Sequence, residues 1–130
     1  MRTVVEPIVA GLLATAGMHA LSAQAQDVQA RILVQSSPLA GFQYHEAKAY
    51  WEQIRLGDAL DLVREPENPH DANAVRVDWN GHVLGYVPRK ENAAIARQLD
   101  RGNRLQARIV RLSKHRDPRK RIEFEIFLPL

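Results

Sequence analysis

A short polar loop, ENPHDAN, places Asn68, His70, Asp71 and Asn73 within six residues. Asn and Asp side chains can accept hydrogen bonds from backbone N–H groups two residues further along, which closes a tight loop without any ligand. That reason accounts for Asn68 and Asp71, but not for the imidazole of His70. An imidazole beside a carboxylate can also stack on a ligand and bond to it. The loop is therefore either a self-contained turn or a ligand-binding segment.

Motifs for catalysis or metal binding are missing from the sequence. The chain contains no GxxxxGKS/T, HExxH or GxSxG, and none of its four serines lies in a nucleophile motif. It has no cysteine, and no two of its five histidines are four residues apart on one helical face. We therefore expect no catalytic residue, no metal and no cofactor. A small hydrolase acting on phosphate esters or anhydrides remains an alternative.

Charge is divided unevenly along the chain. From Gln26 to Gly85 five Lys/Arg oppose nine Asp/Glu, a net charge of −4, and from Tyr86 to Leu130 twelve oppose five, a net charge of +7. The densest run is KHRDPRKR, residues 114–121, with five basic residues and one acid. Such asymmetry is typical of a surface that faces a polyanion. A solvated loop between strands is the alternative.

The first 25 residues differ in character from the rest. An apolar run from Ile8 to Leu21 follows Arg2, and Ala23-Gln24-Ala25 has the small-x-small pattern that a signal peptidase cleaves. The run is shorter than the about 20 residues that a membrane-spanning helix needs. We expect residues 1–25 to be a signal peptide and residues 26–130 to be one exported domain, periplasmic or secreted, without a membrane span. An amphipathic or buried N-terminal helix is the alternative.

The elements that must position the polar loop follow from side-chain periodicity. VQARILVQ, residues 28–35, alternates as a strand does, with Ile32 and Val34 on one face and Leu33 on the other. DALDLVRE, residues 58–65, alternates in the same way and leads directly into the loop. Between them, EAKAYWEQIRLG has the spacing of a helix that ends at Gly57. Its predicted buried stripe is Ala47, Tyr50, Trp51 and Ile54.

A hairpin is predicted directly after the loop. Asn80-Gly81 suits a type I′ turn, which needs positive φ at both central positions. Counting outward from this turn pairs Trp79 with His82, Val77 with Leu84, and Val75 with Tyr86. On this register Tyr86 lies on the core side, because directly opposed residues share a face. Gly85 then faces Arg76 and leaves room for another backbone to approach.

The last third of the chain predicts one helix and two strands. The helix starts near Pro88 and ends at Gly102, with its stripe formed by Asn92, Ile95, Ala96 and Leu99. RLQARIVRLS and RIEFEIFLPL alternate as strands, and the basic run connects them. Five or six short strands with one or two helices in a chain of this length predict a mainly β fold, either a small barrel or a strongly curved sheet.

Three segments, in this order, resemble the HIRAN domain family: GFQYHEA (residues 41–47), REPENPHDANAV (residues 64–75) and GYVPR followed by an Ala-rich helix. The resemblance covers about residues 28–128, and the chain is similar to the short stand-alone bacterial form of the family. It implies an OB-like β-barrel with flanking helices. Members attached to fork-reversal helicases bind single-stranded DNA at its 3′-hydroxyl end. There an Arg-Tyr pair and a Tyr-Asp pair form the pocket, and the Asp accepts from the hydroxyl.

The resemblance also implies which residues would bind nucleic acid here. The first pair falls on Gln43 and Tyr44 and the second on His70 and Asp71, so that Gln replaces Arg and His replaces Tyr. The pocket then includes Tyr86 and Arg89. The predicted phosphate contacts are Lys114, Arg116, Arg119, Lys120 and Arg121. Single-stranded DNA is thus the expected partner. The alternative is a protein-interaction module of the cell envelope, in which the barrel binds a protein and its pocket no longer binds DNA.

Overall fold

The computed structural model describes residues 30–130, so the predicted signal peptide and the start at Gln26 lie outside the described part. The six strands of this part are β1 (Arg31–Pro38), β2 (Ala59–Glu65), β3 (Ala74–Trp79), β4 (His82–Tyr86), β5 (Gln106–Leu112) and β6 (Ile122–Pro129). The single α-helix here is α1 (Ala93–Asp100). Three 3₁₀ turns complete the order: η1 (Phe42–Tyr44), η2 (Arg89–Glu91) and η3 (Pro118–Lys120). Within residues 30–130 no helix is long and apolar enough to cross a bilayer.

All six strands form one antiparallel sheet in the order β1-β6-β5-β2-β3-β4. The two outer strands, β1 and β4, approach each other just after β1 ends. There the backbones of Ala40 and Tyr86 exchange two hydrogen bonds of 2.9 Å. The sheet is therefore open but curled, and the predicted mainly β, OB-like fold is confirmed. Buried side chains from β2 to β6, from α1 and from the chain after β1 form one hydrophobic core.

The segment between β1 and β2 packs as predicted but is not a regular helix. Residues 46–53 form consecutive turns, in which the N–H groups of Tyr50 and Ile54 donate to the carbonyls four residues before them (3.3 and 3.1 Å). Ala47 and Ile54 are fully buried, and Tyr50 and Trp51 pack against the core. The stripe is thus confirmed and the helix is wrong. A segment this short has little helical stability of its own, so packing decides its backbone shape.

The hairpin turn is confirmed, whereas most of its predicted register is wrong. Asn80 and Gly81 have φ values of 47° and 81°, and Trp79 faces His82. Asp78 still faces Val83, but Leu84 then forms a bulge in β4, so that Val77 faces Gly85 and Arg76 faces Tyr86. A bulge adds one residue and shifts the alternation that follows it. Tyr86 therefore leaves the core side and is only half-buried.

The close backbone approach expected at Gly85 is present, although the residue that faces Gly85 on β3 is Val77 and not Arg76. A Cβ built on Gly85 would lie 2.2 Å from the carbonyl oxygen of Ala40. Any side chain here would collide with the backbone that bridges β1 to β4. Glycine at this position therefore permits the curl of the sheet.

The remaining elements follow the sequence pattern closely. The stripe of α1 is confirmed, because Asn92, Ile95 and Ala96 are buried and Leu99 packs against the core. β5 and β6 are also confirmed. The first strand is observed from Arg31, but its alternation is interrupted by a bulge between Leu33 and Gln35. Because β1 is an outer strand, Ile32, Leu33 and Val34 are all exposed, and no two faces can be distinguished by burial.

Candidate functional site

The polar loop between β2 and β3 closes on itself through two Asx turns. Oδ1 of Asn68 accepts a hydrogen bond of 2.9 Å from the N–H of His70, and Oδ1 of Asp71 accepts one of 2.9 Å from the N–H of Asn73. Nδ2 of Asn68 donates to Glu65 at the end of β2 (3.0 Å). The predicted self-contained turn is therefore present. It uses only the backbone of His70, whose side chain stays exposed.

Asp71 is held by both the loop and the start of α1. Asn92, which is 2% exposed, donates from Nδ2 to Oδ2 of Asp71 at 2.7 Å. Partial burial opposes ionisation of Asp71, but the hydrogen bonds from Asn73 and Asn92 and the charges of Arg89 and Arg64 outweigh it. The pKa of Asp71 consequently lies below its ordinary value of 3.8. The carboxylate is ionised at neutral pH, and with one bond on each oxygen it retains lone pairs for a further donor.

A cavity of about 360 Å³ opens beside this carboxylate. We call it the Asp71 cavity. Its lining comes from the polar loop, the end of β4, the residue that begins η2 and the chain after η1. The polar and aromatic residues of the lining are His45, Asn68, His70, Asp71, Tyr86 and Arg89. Four residues predicted from the sequence, His70, Asp71, Tyr86 and Arg89, therefore meet at one cavity.

Tyr86 reaches the cavity because of the bulge in β4. Its hydroxyl donates to Oε1 of Glu65 at 2.8 Å, and the His45 ring lies beside its own ring with centroids 5.4 Å apart. Burial, the hydrogen bond to Glu65 and the negative charge of Glu65 raise the pKa of Tyr86 above its ordinary value of 10.0. The ring is thus fixed by its own hydroxyl and offers a rigid aromatic surface to a ligand.

Glu65 connects the cavity to the charged residues on β3. Besides Tyr86 and Asn68 it binds Arg76, whose Nη1 lies 3.1 Å from its Oε2. Arg76 also makes two hydrogen bonds of 2.9 Å to Asp78. Burial opposes ionisation of Glu65, but the three hydrogen bonds and the charge of Arg76 outweigh it, so the pKa of Glu65 lies below 4.5. The cavity wall is therefore anchored by a charged network.

Gln43 and Tyr44 are placed outside the lining of the cavity. Both are exposed on η1, and Tyr44 has 78% of its surface accessible. The neighbouring residue His45 lines the cavity instead. Gly41 begins this turn with φ of 80°, and a Cβ there would lie 3.3 Å from Cδ2 of His45. The turn thus brings His45 to the cavity and leaves the side chain of Tyr44 exposed outside it.

Two arginines near the cavity differ in whether their side chains are bound by other groups. Arg64 is bound, since its Nε and Nη2 donate to Asp100 (3.0 and 3.4 Å) and its Nη1 donates to the carbonyl of Ala74 (3.1 Å). Arg89 is exposed, lines the cavity and forms no ion pair within residues 30–130. Arg89 is therefore available for a phosphate.

The basic run forms the connection between β5 and β6, and two of its arginines hold its shape. Arg121 donates to the carbonyls of His115 (2.7 Å) and Arg116 (3.2 Å), and its guanidinium lies 4.9 Å from the ring centre of Phe42. Arg119 pairs with Asp117 at 3.1 Å. In the described part of the chain, three exposed members of the run form no ion pair: Lys114, Arg116 and Lys120. Because Phe42 belongs to η1, the basic connection lies against the same turn that leads to His45.

Sequence reasoning missed three residues of the cavity or its support: His45, Glu65 and Asn92. Asn92 carried a signal, since an amide in the otherwise apolar stripe of α1 needs a buried partner. Glu65 and His45 carried none, because their roles depend on contacts across strands. No arrangement of three or more His, Cys, Asp or Glu side chains suited to a metal occurs among residues 30–130.

Known proteins resemble the chain over nearly all of the described part. The sequence model of the HIRAN domain family matches residues 32–130. A crystal structure of a protein from Lactobacillus plantarum is similar with a TM-score of 0.66 and 28% identity, covering 77% of this chain and 96% of that chain. The crystal structure of the HIRAN domain of human HLTF gives a TM-score of 0.57 and 19% identity, covering 75% and 77%. No curated protein matches the chain significantly.

Proposed function

The chain belongs to the HIRAN domain family, a family of DNA-binding modules, and from this premise we propose that it binds single-stranded DNA by its 3′-hydroxyl end in the Asp71 cavity. The terminal nucleotide occupies the cavity. The basic connection between β5 and β6 contacts phosphates of the same strand. Binding is the whole activity, with no chemical step on the DNA.

The carboxylate of Asp71 is the observation that carries the proposal. It is ionised, fixed by Asn73 and Asn92, and has acceptor capacity left on a cavity wall. A free 3′-hydroxyl donates a hydrogen bond to such a group, and bonds to a charged acceptor are stronger than neutral ones. A phosphate at the same place carries negative charge and would be repelled. The chemistry therefore favours a free end over a blocked or internal position.

Aromatic rings around the carboxylate support a nucleotide ligand. Tyr86, His45 and His70 line the cavity, and Tyr44 is exposed on the adjoining turn. Stacking of a base on an aromatic side chain contributes about 1–3 kcal/mol. His70 offers a smaller ring than the tyrosine of the helicase-linked members, so Tyr86 supplies the largest ring in the lining.

The test is fluorescence anisotropy with a short labelled single strand that ends in either a 3′-hydroxyl or a 3′-phosphate. We expect the hydroxyl strand to bind at least about tenfold more tightly, which corresponds to about 1.4 kcal/mol. Asp71→Asn keeps the shape of the side chain and removes its charge, so it should abolish the preference. Affinity should fall with added salt for both strands, because phosphate contacts release counterions.

Asp61→Asn is the matched control, since the substitution makes the same change in net charge. Asp61 is exposed on β2 and lies outside the Asp71 cavity. The substitution should leave the preference for the hydroxyl end intact. Salt-sensitive binding with no end preference would reduce the function to a basic surface. No binding at low salt would refute nucleic-acid binding altogether.

A further inference from the structure

A second concave surface lies around Trp51, on the turns between β1 and β2. Two adjacent cavities of about 300 and 520 Å³ share Trp51, Glu52 and Lys114 in their linings. We call the surface that they form the Trp51 groove. None of its residues lines the Asp71 cavity.

The groove presents the ring of Trp51 among basic side chains. Trp51 is half-buried and packs edge-on against Phe42, with ring centroids 5.7 Å apart and planes at 79°. Trp51 lines both cavities and is not fully buried, so the residue is accessible from the groove. The basic residues of the lining are Lys48, Arg55, Lys114 and Arg121, against the single acid Glu52. A flat ring with surrounding positive charge is the combination that binds single-stranded nucleic acid.

The four basic residues are not equally available. Arg55 donates to the carbonyls of Glu52 and Ile54, and Arg121 donates to carbonyls of its own loop. Lys48 and Lys114 are exposed and form no ion pair in the described part of the chain. These two lysines are therefore the basic side chains of the groove that are available to a phosphate.

The turn η1 joins the groove to the Asp71 cavity. Phe42, at its start, lines the groove, and His45, directly after it, lines the cavity. Three residues of a 3₁₀ turn advance only about 6 Å. A single strand of nucleic acid that leaves the cavity therefore has only a short distance to cross before it meets the groove. The exposed ring of Tyr44 lies on the same turn between the two.

We propose that the Trp51 groove binds the nucleotides on the 5′ side of the terminal one, with Trp51 stacking on a base and Lys48 and Lys114 contacting phosphates. This inference rests on the proposed function and gives the strand a direction. The 3′ end lies at Asp71, and the strand runs over η1 toward Trp51. Only single strands long enough to pass η1 make both sets of contacts.

The test uses the full chain and a series of strands with a free 3′-hydroxyl, each lengthened by one nucleotide at its 5′ end. Affinity should rise in one step at a defined length, and tryptophan fluorescence should be quenched from that length onward. The chain has two tryptophans, and Trp79 is 7% exposed with its Nε1 bound to Asp58. Trp51→Phe should therefore remove the quenching. An abasic site at the stacked position should weaken binding by roughly fivefold to a hundredfold, and abasic sites beyond the groove should not.

Variants of the two lysines separate this inference from a general charge effect. The slope of log affinity against log salt is negative. The double change Lys48→Gln and Lys114→Gln should reduce its magnitude by about 1.4, or about 0.7 per phosphate contact. Arg104→Gln, at an exposed residue that lines neither surface, should change it by much less.

Two outcomes overturn the inference, and they differ in what they leave standing. If short and long strands bind equally, without quenching but with a preference for the 3′-hydroxyl, the Trp51 groove is not used and the proposed function stands. If long strands quench Trp51 with no end preference, the direction is refuted together with the end-binding function.

Discussion

Asn92 donates a hydrogen bond of 2.7 Å to Asp71 and so ties the start of α1 to the loop between β2 and β3. The donor is almost completely buried, while its acceptor lies on a cavity wall. A buried amide at the head of a helix therefore orients a carboxylate that faces solvent. Asn92 acts as a positioning residue for Asp71.

Asn92→Ala should raise the pKa of Asp71 toward its ordinary value and lower the free energy of unfolding by about 1 kcal/mol, because one hydrogen bond to a charged group is lost and water replaces part of it. The pKa is measured by NMR titration of the carboxyl group and the stability by urea unfolding. The 3′-hydroxyl preference should weaken with it. Asn103→Ala, at an exposed amide beyond α1, is the control. An unchanged Asp71 pKa would contradict the assigned role.

Stability should fall at both ends of the pH scale. The pKa values of Asp71 and Glu65 lie below their ordinary values of 3.8 and 4.5, so the unfolded chain binds more protons and the stabilisation is lost as pH falls through this range. The pKa of Tyr86 lies above 10.0, so its contribution is present below pH 10 and is lost above it. Urea midpoints between pH 3 and pH 11 should form a plateau with two declining limbs. In Tyr86→Phe the alkaline limb should be smaller.

Gly85→Ala should destabilise the domain by about 3 kcal/mol or more, because the new Cβ would meet the carbonyl oxygen of Ala40, a backbone atom that cannot move aside cheaply. Gly102→Ala is the matched comparison: this glycine has φ of +85° and open space around it, so strain alone should cost about 1–2 kcal/mol. Thermal or urea unfolding of both variants decides the matter. Equal losses would mean that the contact with Ala40 does not constrain the sheet.

Tyr86→Phe should separate the structural role of the hydroxyl from the ligand role of the ring. Loss of the bond to Glu65 should lower the free energy of unfolding by about 1 kcal/mol, while the ring remains on the cavity wall. Affinity for single-stranded DNA should stay within about twofold, whereas Tyr86→Leu should weaken it by the value of one stacked base, about 1–3 kcal/mol. Equal affinities of the two variants would remove Tyr86 from the site.

Arg121 and Lys120 are neighbours in sequence that should respond differently to substitution. Lys120→Gln removes an exposed charge, so it should weaken DNA binding and reduce its salt dependence without changing the melting temperature. Arg121→Gln also removes the hydrogen bonds to the carbonyls of His115 and Arg116 and the contact with Phe42. It should therefore lower the melting temperature as well. A Lys120→Gln variant with a lowered melting temperature would contradict this division.

Local patterns allowed much of the fold to be predicted. Asn80-Gly81 specified a turn whose φ values are positive, and the Asx turns at Asn68 and Asp71 followed from residue type alone. These features depend on interactions between residues close in sequence, so the sequence contains their cause. The helix predicted over residues 46–57 failed because its shape is imposed by packing and by the bond from the Val83 N–H to Glu46.

By itself the sequence determined the strands, the turn chemistry, the buried stripes and the grouping of His70 with Asp71 in one loop. Only the tertiary structure decided that Tyr86 faces the cavity, because the bulge at Leu84 occurs where the backbone of Ala40 approaches Gly85. Likewise, only the fold joins Asn92 to Asp71 and places His45 rather than Tyr44 in the lining. These contacts join residues far apart in the chain or depend on the exact course of a turn. Periodicity reports which residues are buried, and it carries no information about which distant residues they meet.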